Sequence, residues 1–522
     1  MALAENIRER LTALFKGRRL EDLTGEQRQE FLRAAADMGE KRLRRYRLYQ
    51  EYYEGEHRTL LLERARRYLE ASGLRYAENF CETIVDVLAE RLQVVGFQVE
   101  DNDAASDWLT KTVWPKNEMD EKEGVVHTET TKKGDGFLIV GYDEARELPT
   151  FTWNRPEIIK PVYSDENPDE MEYAAKVWTT NQVSSTNPTG QTINRLNLYY
   201  PDRVEKWFSV GDRNGKEDWA PHVDPEDLDE HGTPRWPIPW TMDGLPDGEP
   251  IGIPVIHFRN KPKGQTFGRS EIHATIPQQD ALAKQLLDLF YVMDAQGWKQ
   301  RWASGIPDNE SIVTAIGEWI KSANNDAKFG EFAAEDPTPM GEQIEGTLRR
   351  MASRSKTPLH LMMTGGDLPS GETLKTAESP LVHKAKDRQV THGNAWAKAQ
   401  RVGVRVVEAF GKLPTVVLDD DDGETTSATV AIDPDSEIRT IWGNPESRNE
   451  QSETNTLGVQ VEILGLSKTT ALRKLGYDPE EEEDLREDER EAEPEPPAPP
   501  TVPAIPTVAI PKAPSKPGEA DD

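Results

Sequence analysis

The chain has 522 residues, 63 Lys and Arg against 94 Asp and Glu, and a formal charge of −31. Its mean hydropathy is −0.73, and apolar residues make up 36%, low against the roughly 45–50% usual for a globule on a count that includes Gly. A membrane-spanning chain is excluded, since no window holds the roughly 18 apolar residues a spanning helix needs. Wholesale disorder is excluded by 13 Trp, 13 Tyr and 13 Phe, and a nonspecific coat on DNA by the charge, because phosphate binding rests on Lys and Arg.

The length predicts about three to five domains. One cysteine, Cys81, rules out an internal disulfide framework and a Cys-based zinc cluster. It sits in the run Asn79-Phe80-Cys81-Glu82-Thr83-Ile84-Val85 and reads as a small buried hydrophobe. The opening residues lack the basic and apolar regions of a signal peptide, so synthesis and use in a reducing cytoplasm are expected.

Charge is unevenly placed. Residues 1–70 carry +3, residues 71–476 carry −23 and residues 477–522 carry −11. The last stretch runs from Pro479-Glu480-Glu481-Glu482-Glu483-Asp484 into proline-rich sequence. Self-repulsion and proline predict a disordered acidic tail there, serving either docking or solubility.

In chain order, Arg8 to Phe15, Gln27 to Met38 and Lys41 to Tyr53 have helical apolar spacing. Asn79 to Leu92 is stronger, with Phe80, Ile84, Val87, Leu88 and Leu92 on one stripe and Gly96 as the expected stop. From about 125 to 260 short apolar runs between turns predict an antiparallel β region. These runs are Phe137–Val140, Tyr173–Thr179, Leu196–Tyr200, Val204–Phe208 and Pro254–Phe258. Gly134-Asp135-Gly136 reads as a hairpin turn, since no third glycine completes a dinucleotide fingerprint.

Helix returns at Arg269, with Leu282, Leu286, Leu289 and Met293 on one face and Pro277 marking a kink or a start. A strand at Trp302-Ala303, a helix over Glu310 to Ser322 capped by Asp308 and Asn309, and a strand over Lys328 to Phe332 form a small unit. A short helix from Gly341 to Met351 leads to the loop Thr357-Pro358-Leu359-His360-Leu361-Met362-Met363-Thr364-Gly365-Gly366. A long helix spans Gly371 to Phe410 with Ala395, Ala399, Val402, Val406 and Phe410 on one stripe. Strands at Val416–Leu418 and Thr429–Ile432 and helices over Ser447–Leu464 and Lys468–Leu475 close the chain.

Catalytic chemistry finds no support. Gly366-Asp367-Leu368-Pro369-Ser370-Gly371-Glu372-Thr373 has glycines spaced as in a phosphate loop, but Glu372 stands where the lysine belongs and would repel a nucleotide. Asp419-Asp420-Asp421-Asp422 lacks the spacing of a calcium loop and reads as an exposed turn. His383 and His392, nine residues apart on one helix, are too distant to share an ion. No metal, cofactor or catalytic residue is predicted. One basic island stands out: Arg349, Arg350, Arg354 and Lys356, with no acid between Glu345 and Asp367. It is either a solvated helix end facing the negative pole of the macrodipole or a contact for a polyanion.

The order of several short segments is distinctive. They are Tyr52-Tyr53-Glu54-Gly55, Asn79 through Val87 to Gly96-Phe97, Gly136-Phe137-Leu138-Ile139-Val140-Gly141 and Phe267-Gly268-Arg269-Ser270-Glu271-Ile272. Further on come Ile276-Pro277-Gln278-Gln279-Asp280-Ala281-Leu282, Ser370-Gly371-Glu372, Glu378-Ser379-Pro380-Leu381 and Ile441-Trp442-Gly443-Asn444-Pro445. Over about 40–475 the chain thereby resembles portal proteins of tailed double-stranded DNA bacteriophages, the head-to-tail connectors of long-tailed phages.

That resemblance implies an α+β portal fold assembling as a dodecameric ring, with helical stem and crown, a mixed α/β wing and a small α/β clip. It divides the chain into an N-terminal helical arm (1–39), a first part of the wing (40–265), a stem helix (266–298) and a clip (299–338). A second stem helix (339–354), a tunnel loop (355–371), a second wing part (372–445), a crown (446–476) and the acidic tail (477–522) follow. It also implies a non-enzymatic channel at one capsid vertex for genome packaging and ejection.

The implied partners are sister subunits, double-stranded DNA, the terminase large subunit, a head-completion adaptor, and the major capsid and scaffolding proteins. The implied location is the virion, after assembly in the host cytoplasm. Asp308, Glu310, Glu318 and Lys321 fall in the docking clip. Arg349, Arg350, Arg354 and Lys356 fall beside the channel, with Leu359, His360 and Met362 on the tunnel loop. The alternatives are another ring-forming head component, such as a capsid or adaptor subunit, which would lack the 269–354 insertion, and a packaging nuclease or ATPase, which would need a Walker lysine or a carboxylate-metal cluster.

Overall fold

Tyrosine decides how the first part of the chain folds. The computed structural model describes residues 23–56, 78–100, 102–181, 190, 192–210, 218–224, 227–228, 231–232, 235–262, 266–297, 301–305, 326–331, 336–363, 371–411, 413, 415–419, 425–429 and 436–446. Helix α1 (Gly25–Ala36) opens with a reciprocal cap between Thr24 and Gln27, which satisfies two otherwise orphaned amides. Helix α2 (Glu40–Tyr53) is rich in arginine, yet Tyr46, Tyr49 and Tyr52 bury one face. Their hydroxyls, with that of Tyr53, bond Asp135, His273, Asp280 and Asp86. A ring body and a polar tip let such a helix be both buried and satisfied.

Helix α3 (Cys81–Ala89) buries Cys81, Ile84, Val85 and Leu88, and burial pushes the Cys81 thiol up to about 12. The helix ends at Ala89, well before Gly96. Gly96 instead lies in strand β1 (Val94–Val99), where a Cβ would meet Thr110 Cγ2 at 2.8 Å. Its glycine is a packing requirement, not a helix stop. Two helical pieces, α4 (Asp103–Asp107) and α5 (Trp114–Lys116), flank a π-helical stretch, Trp108–Val113.

Helix α6 (Met119–Lys133) occupies the start of the expected β region. Gly134 ends it at φ 96°, with Arg269 backbone 2.9 Å from where a Cβ would stand. Gly134-Asp135-Gly136 is therefore a helix stop leading into strand β2 (Asp135–Asp143), not a hairpin turn. The strands that follow are β3 (Leu148–Asn154), β4 (Ile159–Tyr163), β5 (Met171–Thr180), β6 (Ile193–Tyr199), β7 (Arg203–Val210), β8 (Ala220–Pro221), β9 (Ile238–Pro239) and β10 (Val255–Arg259). Of these, β5, β6, β7 and β10 fall on the expected runs, and β3, β4, β8 and β9 fall outside them.

All pairings are antiparallel. One sheet runs β10-β2-β3, and a six-stranded sheet runs β4-β5-β6-β7-β8 with β9 also on β7. After these come α7 (Ile276–Gly297), β11 (Arg301–Ser304), β12 (Lys328–Glu331), α8 (Thr338–Ser355), α9 (Gly371–Phe410), β13 (Thr415–Asp419), β14 (Thr425–Thr429) and β15 (Ile438–Trp442). β15 returns to pair with β1, and β11-β12 and β13-β14 are two-stranded. The second strand of the last pair is Thr425–Thr429, earlier than the expected Thr429–Ile432.

The largest core joins β1, the α4–α5 segment, the β10-β2-β3 sheet and α9 through Trp108, Trp114, Val140, Phe258, Trp396 and Val407. A second core packs Phe31, Leu32 and Ala35 of α1 onto Ala175, Val177, Leu196, Leu198 and Trp207 of the six-stranded sheet. The residues read as an N-terminal arm over 1–39 thus include a helix packed on the six-stranded sheet. The expected helices over Arg8–Phe15, Glu310–Ser322, Ser447–Leu464 and Lys468–Leu475 lie outside the described residues. So do Asp420–Asp422, the crown after Glu446 and the tail.

Candidate nucleic-acid interface

Helices α7 and α8 form a hairpin with β11-β12 between them. Pro277 is the second residue of α7, where its missing N–H costs nothing, so it marks a true start. Leu282 and Leu286 share one apolar cluster with Ile344 and Leu348 of α8. Farther along α7, Met293 is 51% exposed and Phe290 38%. Among the described residues the expected stripe is buried only in its first half. In the strand pair, Trp302 and Phe329 are also exposed.

Helix α8 begins with Asp336 Oδ1 accepting from the Thr338 amide at 3.0 Å. It buries Ile344, Thr347, Leu348, Met351, Ala352 and Ser355. This three-and-four spacing leaves Arg349, Arg350 and Arg354 exposed on the other face. Arg349 pairs with Glu345 at 3.1 Å, an exposed i,i+4 contact worth only about 0.3–0.5 kcal/mol. Arg350 donates to Thr347 Oγ1 at 2.8 Å. The helix ends in a Schellman turn, with the Thr357 amide on Ala352 O and the Lys356 amide on Ser353 O. Lys356 holds the left-handed position of that turn, φ 57°, where glycine is the unstrained choice.

After the turn, Leu359–Leu361 form a single 3₁₀ turn. Leu359 is 36% exposed. His360 Nε2 lies 3.5 Å from Glu378 Oε1, and Glu378 also pairs with Arg91 at 3.2 Å. Met362 differs from expectation: it is buried among Tyr49, Tyr52, Cys81, Ile84 and Met351. Apolar burial anchors this end of the loop and takes Met362 away from any open channel face. Residues 364–370 lie outside the described set, as do Asp308, Glu310, Glu318 and Lys321.

A buried charge cluster, missed in the sequence, pins both hairpin ends. Glu271, just before α7, is held by Lys261, by Lys384 at 2.9 Å and by Arg388 at 3.2 Å. Asn260 Nδ2 donates to the same carboxylate at 3.1 Å. Burial alone would raise the Glu271 pKa, but Lys384, Lys261 and Arg388 together hold it well below the carboxylate range. Burial brings Lys261 down to about 8, reinforced by its cationic neighbours. Lys384 also donates to the Ser355 carbonyl at 3.0 Å, so one ammonium joins the end of α8 to the entry of α7. The signal was Glu271 in the quoted Phe267–Ile272 segment; its partners lie too far along the chain to be read from it.

A second buried group surrounds Asp135, which accepts from Tyr46 at 2.7 Å and the Gly268 amide at 2.7 Å, with His257 Nε2 at 2.9 Å. Among the described residues no group of three or more His, Cys, Asp or Glu could hold a metal ion. No helix there is long and apolar enough to cross a membrane.

The arrangement can present cations to a polyanion on a helix end. Comparison with known proteins identifies the family. The family model for phage portal proteins of the SPP1 Gp6-like type matches residues 35–495. A portal protein of Mycobacterium phage L5 is 23% identical over 432 residues, covering 78% of this chain and 78% of its own. That of Mycobacterium phage D29 is 22% identical over the same coverage. Among solved structures, a chain in the neck of a native GTA particle computed with C12 symmetry aligns with TM-score 0.40 at 12% identity, covering 81% of this chain and 96% of its own. One from the neck of an empty GTA particle computed with C6 symmetry aligns with TM-score 0.38 at 11% identity, covering 76% and 89%.

Proposed function

Because this chain belongs to the SPP1 Gp6-like phage portal protein family, a family of non-enzymatic head-tail connectors of the virion, we propose that it forms a dodecameric ring at one capsid vertex and conducts double-stranded DNA during packaging and ejection. The observation that carries the channel reading is the α7–strand pair–α8 insertion, whose second helix ends in four exposed cations on an acidic body. A conduit must not grip its cargo. A basic lining would gain affinity by counterion release and arrest sliding, whereas an acidic lining repels phosphate. A sparse ring of Arg349, Arg350, Arg354 and Lys356 centres the duplex, and Leu359 and His360 meet it sterically.

The strand-pair unit, with Asp308, Glu310, Glu318 and Lys321, is the proposed docking site for the terminase large subunit and then a head-completion adaptor. Capsid and scaffolding proteins contact the wing, and the ring assembles in the host cytoplasm. Two measurements test this. Negative-stain images and native mass of purified protein should give closed rings with a central hole; a stable monomer at micromolar concentration overturns the ring. Replacing all four cations by Gln should lower DNA packaging and retention, and unchanged values overturn their role.

A further inference from the structure

The six-stranded sheet has two faces of different character. Register sets Ala175, Val177, Leu196, Leu198 and Trp207 toward α1. On the opposite face, Ala174, Tyr199 and Val204 pack against Phe137 and Val255. Beyond that contact the face continues as three cross-strand rows: Lys176–Asn197–Lys206, Trp178–Arg195–Phe208 and Thr180–Ile193–Val210. The first two rows are half-buried, and Val210 is 43% exposed.

Of the three cations, Lys206 is matched by Asp224 and Asp227, each at 2.8 Å. Lys176 and Arg195 form no ion pair among the described residues. The Lys176 ammonium rests 5.1 Å from the Trp178 ring centroid. Arg195 feels Asp224, whose oxygens are already taken by Lys206 and His222. Burial lowers the pKa of both cations, with Asp224 opposing the shift at Arg195, because desolvation disfavours the charged form. Two cations with no ion pair among the described residues thus stand beside two aromatic rings on a chain of charge −31.

Lys176 and Arg195 are diagonal neighbours, roughly 7–8 Å apart between Cα atoms. In an extended peptide, side chains two residues apart share a side and recur about every 6.5–7 Å. Nucleic acid would need free ring faces for its bases, but Trp178 lies under an ammonium and Phe208 has His222 against it at 5.8 Å. We propose that this face docks an extended acidic peptide segment of a protein partner. Carboxylates two residues apart pair with Lys176 and Arg195, and the intervening apolar side chains point away from the sheet.

The test is fluorescence anisotropy of the full chain with a fluorescein-labelled decapeptide alternating glutamate and valine, in low salt. Binding is expected, with at least a tenfold loss in the Lys176→Gln/Arg195→Gln variant and none in Lys111→Gln. In the unaltered protein, the same peptide should also protect Lys176 from acetylation read by mass spectrometry, a measurement that survives misfolding of the variant. Absence of binding, equal binding by the double variant, or unprotected Lys176 overturns the proposal. So does a dT oligonucleotide that binds more tightly and is lost in the same variant, or loss of self-association without peptide binding; these assign the face to nucleic acid or to a second copy.

Discussion

Three residues carry information beyond their contacts. Lys356 holds a left-handed turn position that costs a non-glycine residue about 1–2 kcal/mol. Lys356→Gly should leave stability unchanged or raise it by about 0.5–1 kcal/mol in urea unfolding. If its ammonium faces DNA, the same variant should package less. A destabilised variant removes the strain argument, and full packaging removes the ammonium from the channel. His127 and His392 stack at 5.4 Å, both fully buried. His127 Nε2 accepts from Trp396 Nε1 at 2.9 Å, a bond that a protonated ring could not accept. Burial lowers His127 to about 3, the Leu92 carbonyl opposing. Burial also lowers His392, with His127 and Arg388 adding to it. Each folded pKa lies below the unfolded value near 6.5. Their contribution is therefore complete above pH 6.5 and falls below it by about 1.4 kcal/mol per pH unit per histidine. His392→Gln should flatten the dependence of the urea midpoint between pH 7 and 5. A slope identical to that of the unaltered protein would exclude the pair as its source.

At the scale of elements, the Glu271 cluster decides whether the α7–α8 hairpin has a fixed base. Glu271→Gln leaves Lys261, Lys384 and Arg388 facing one another in a buried site. Breaking such a site typically costs about 3–5 kcal/mol. A urea-unfolding loss of that size is expected, and one under about 1 kcal/mol would show that the cluster does not hold the hairpin. Sequence periodicity could not find this cluster, because it joins residues from 260 to 388 and each alone looks like an ordinary charge. Periodicity did place α9, at the bounds Gly371–Phe410; of its expected stripe Ala395, Ala399 and Val406 are buried, Val402 is half-buried and Phe410 is 40% exposed. Periodicity missed α6, where Glu123, His127, Thr130, Thr131, Lys132 and Lys133 are buried alongside Met119 and Val126. A helix enclosed on several sides by polar partners has no apolar stripe to read. The cations of α8 were legible as an island in the sequence, but the burial of Met362 depends on α2 and α3, which are distant in sequence.

At the scale of the whole molecule, the low apolar fraction has a physical consequence. In the ring proposed above, the outer half of α7, where Phe290 and Met293 are exposed, would face neighbouring copies. Covering the exposed parts of these two side chains contributes about 4 kcal/mol per interface at 25 cal/mol per Å². In a closed ring every subunit makes that contact twice, so the loss is repeated at each interface and the whole ring answers cooperatively. Phe290→Ser/Met293→Ser should therefore shift the protein from rings to monomers at concentrations where the unaltered protein remains assembled, read by sedimentation velocity. The fold of the subunit should persist, because Leu282, Leu286, Ile344 and Leu348 still hold the hairpin. Circular dichroism should thus be unchanged while the sedimentation coefficient drops. Rings as stable as before would mean that the outer half of α7 faces solvent in the assembly and that other surfaces carry the ring. A variant that loses secondary structure would mean that α7 depends on these residues within its own subunit, contrary to their exposure.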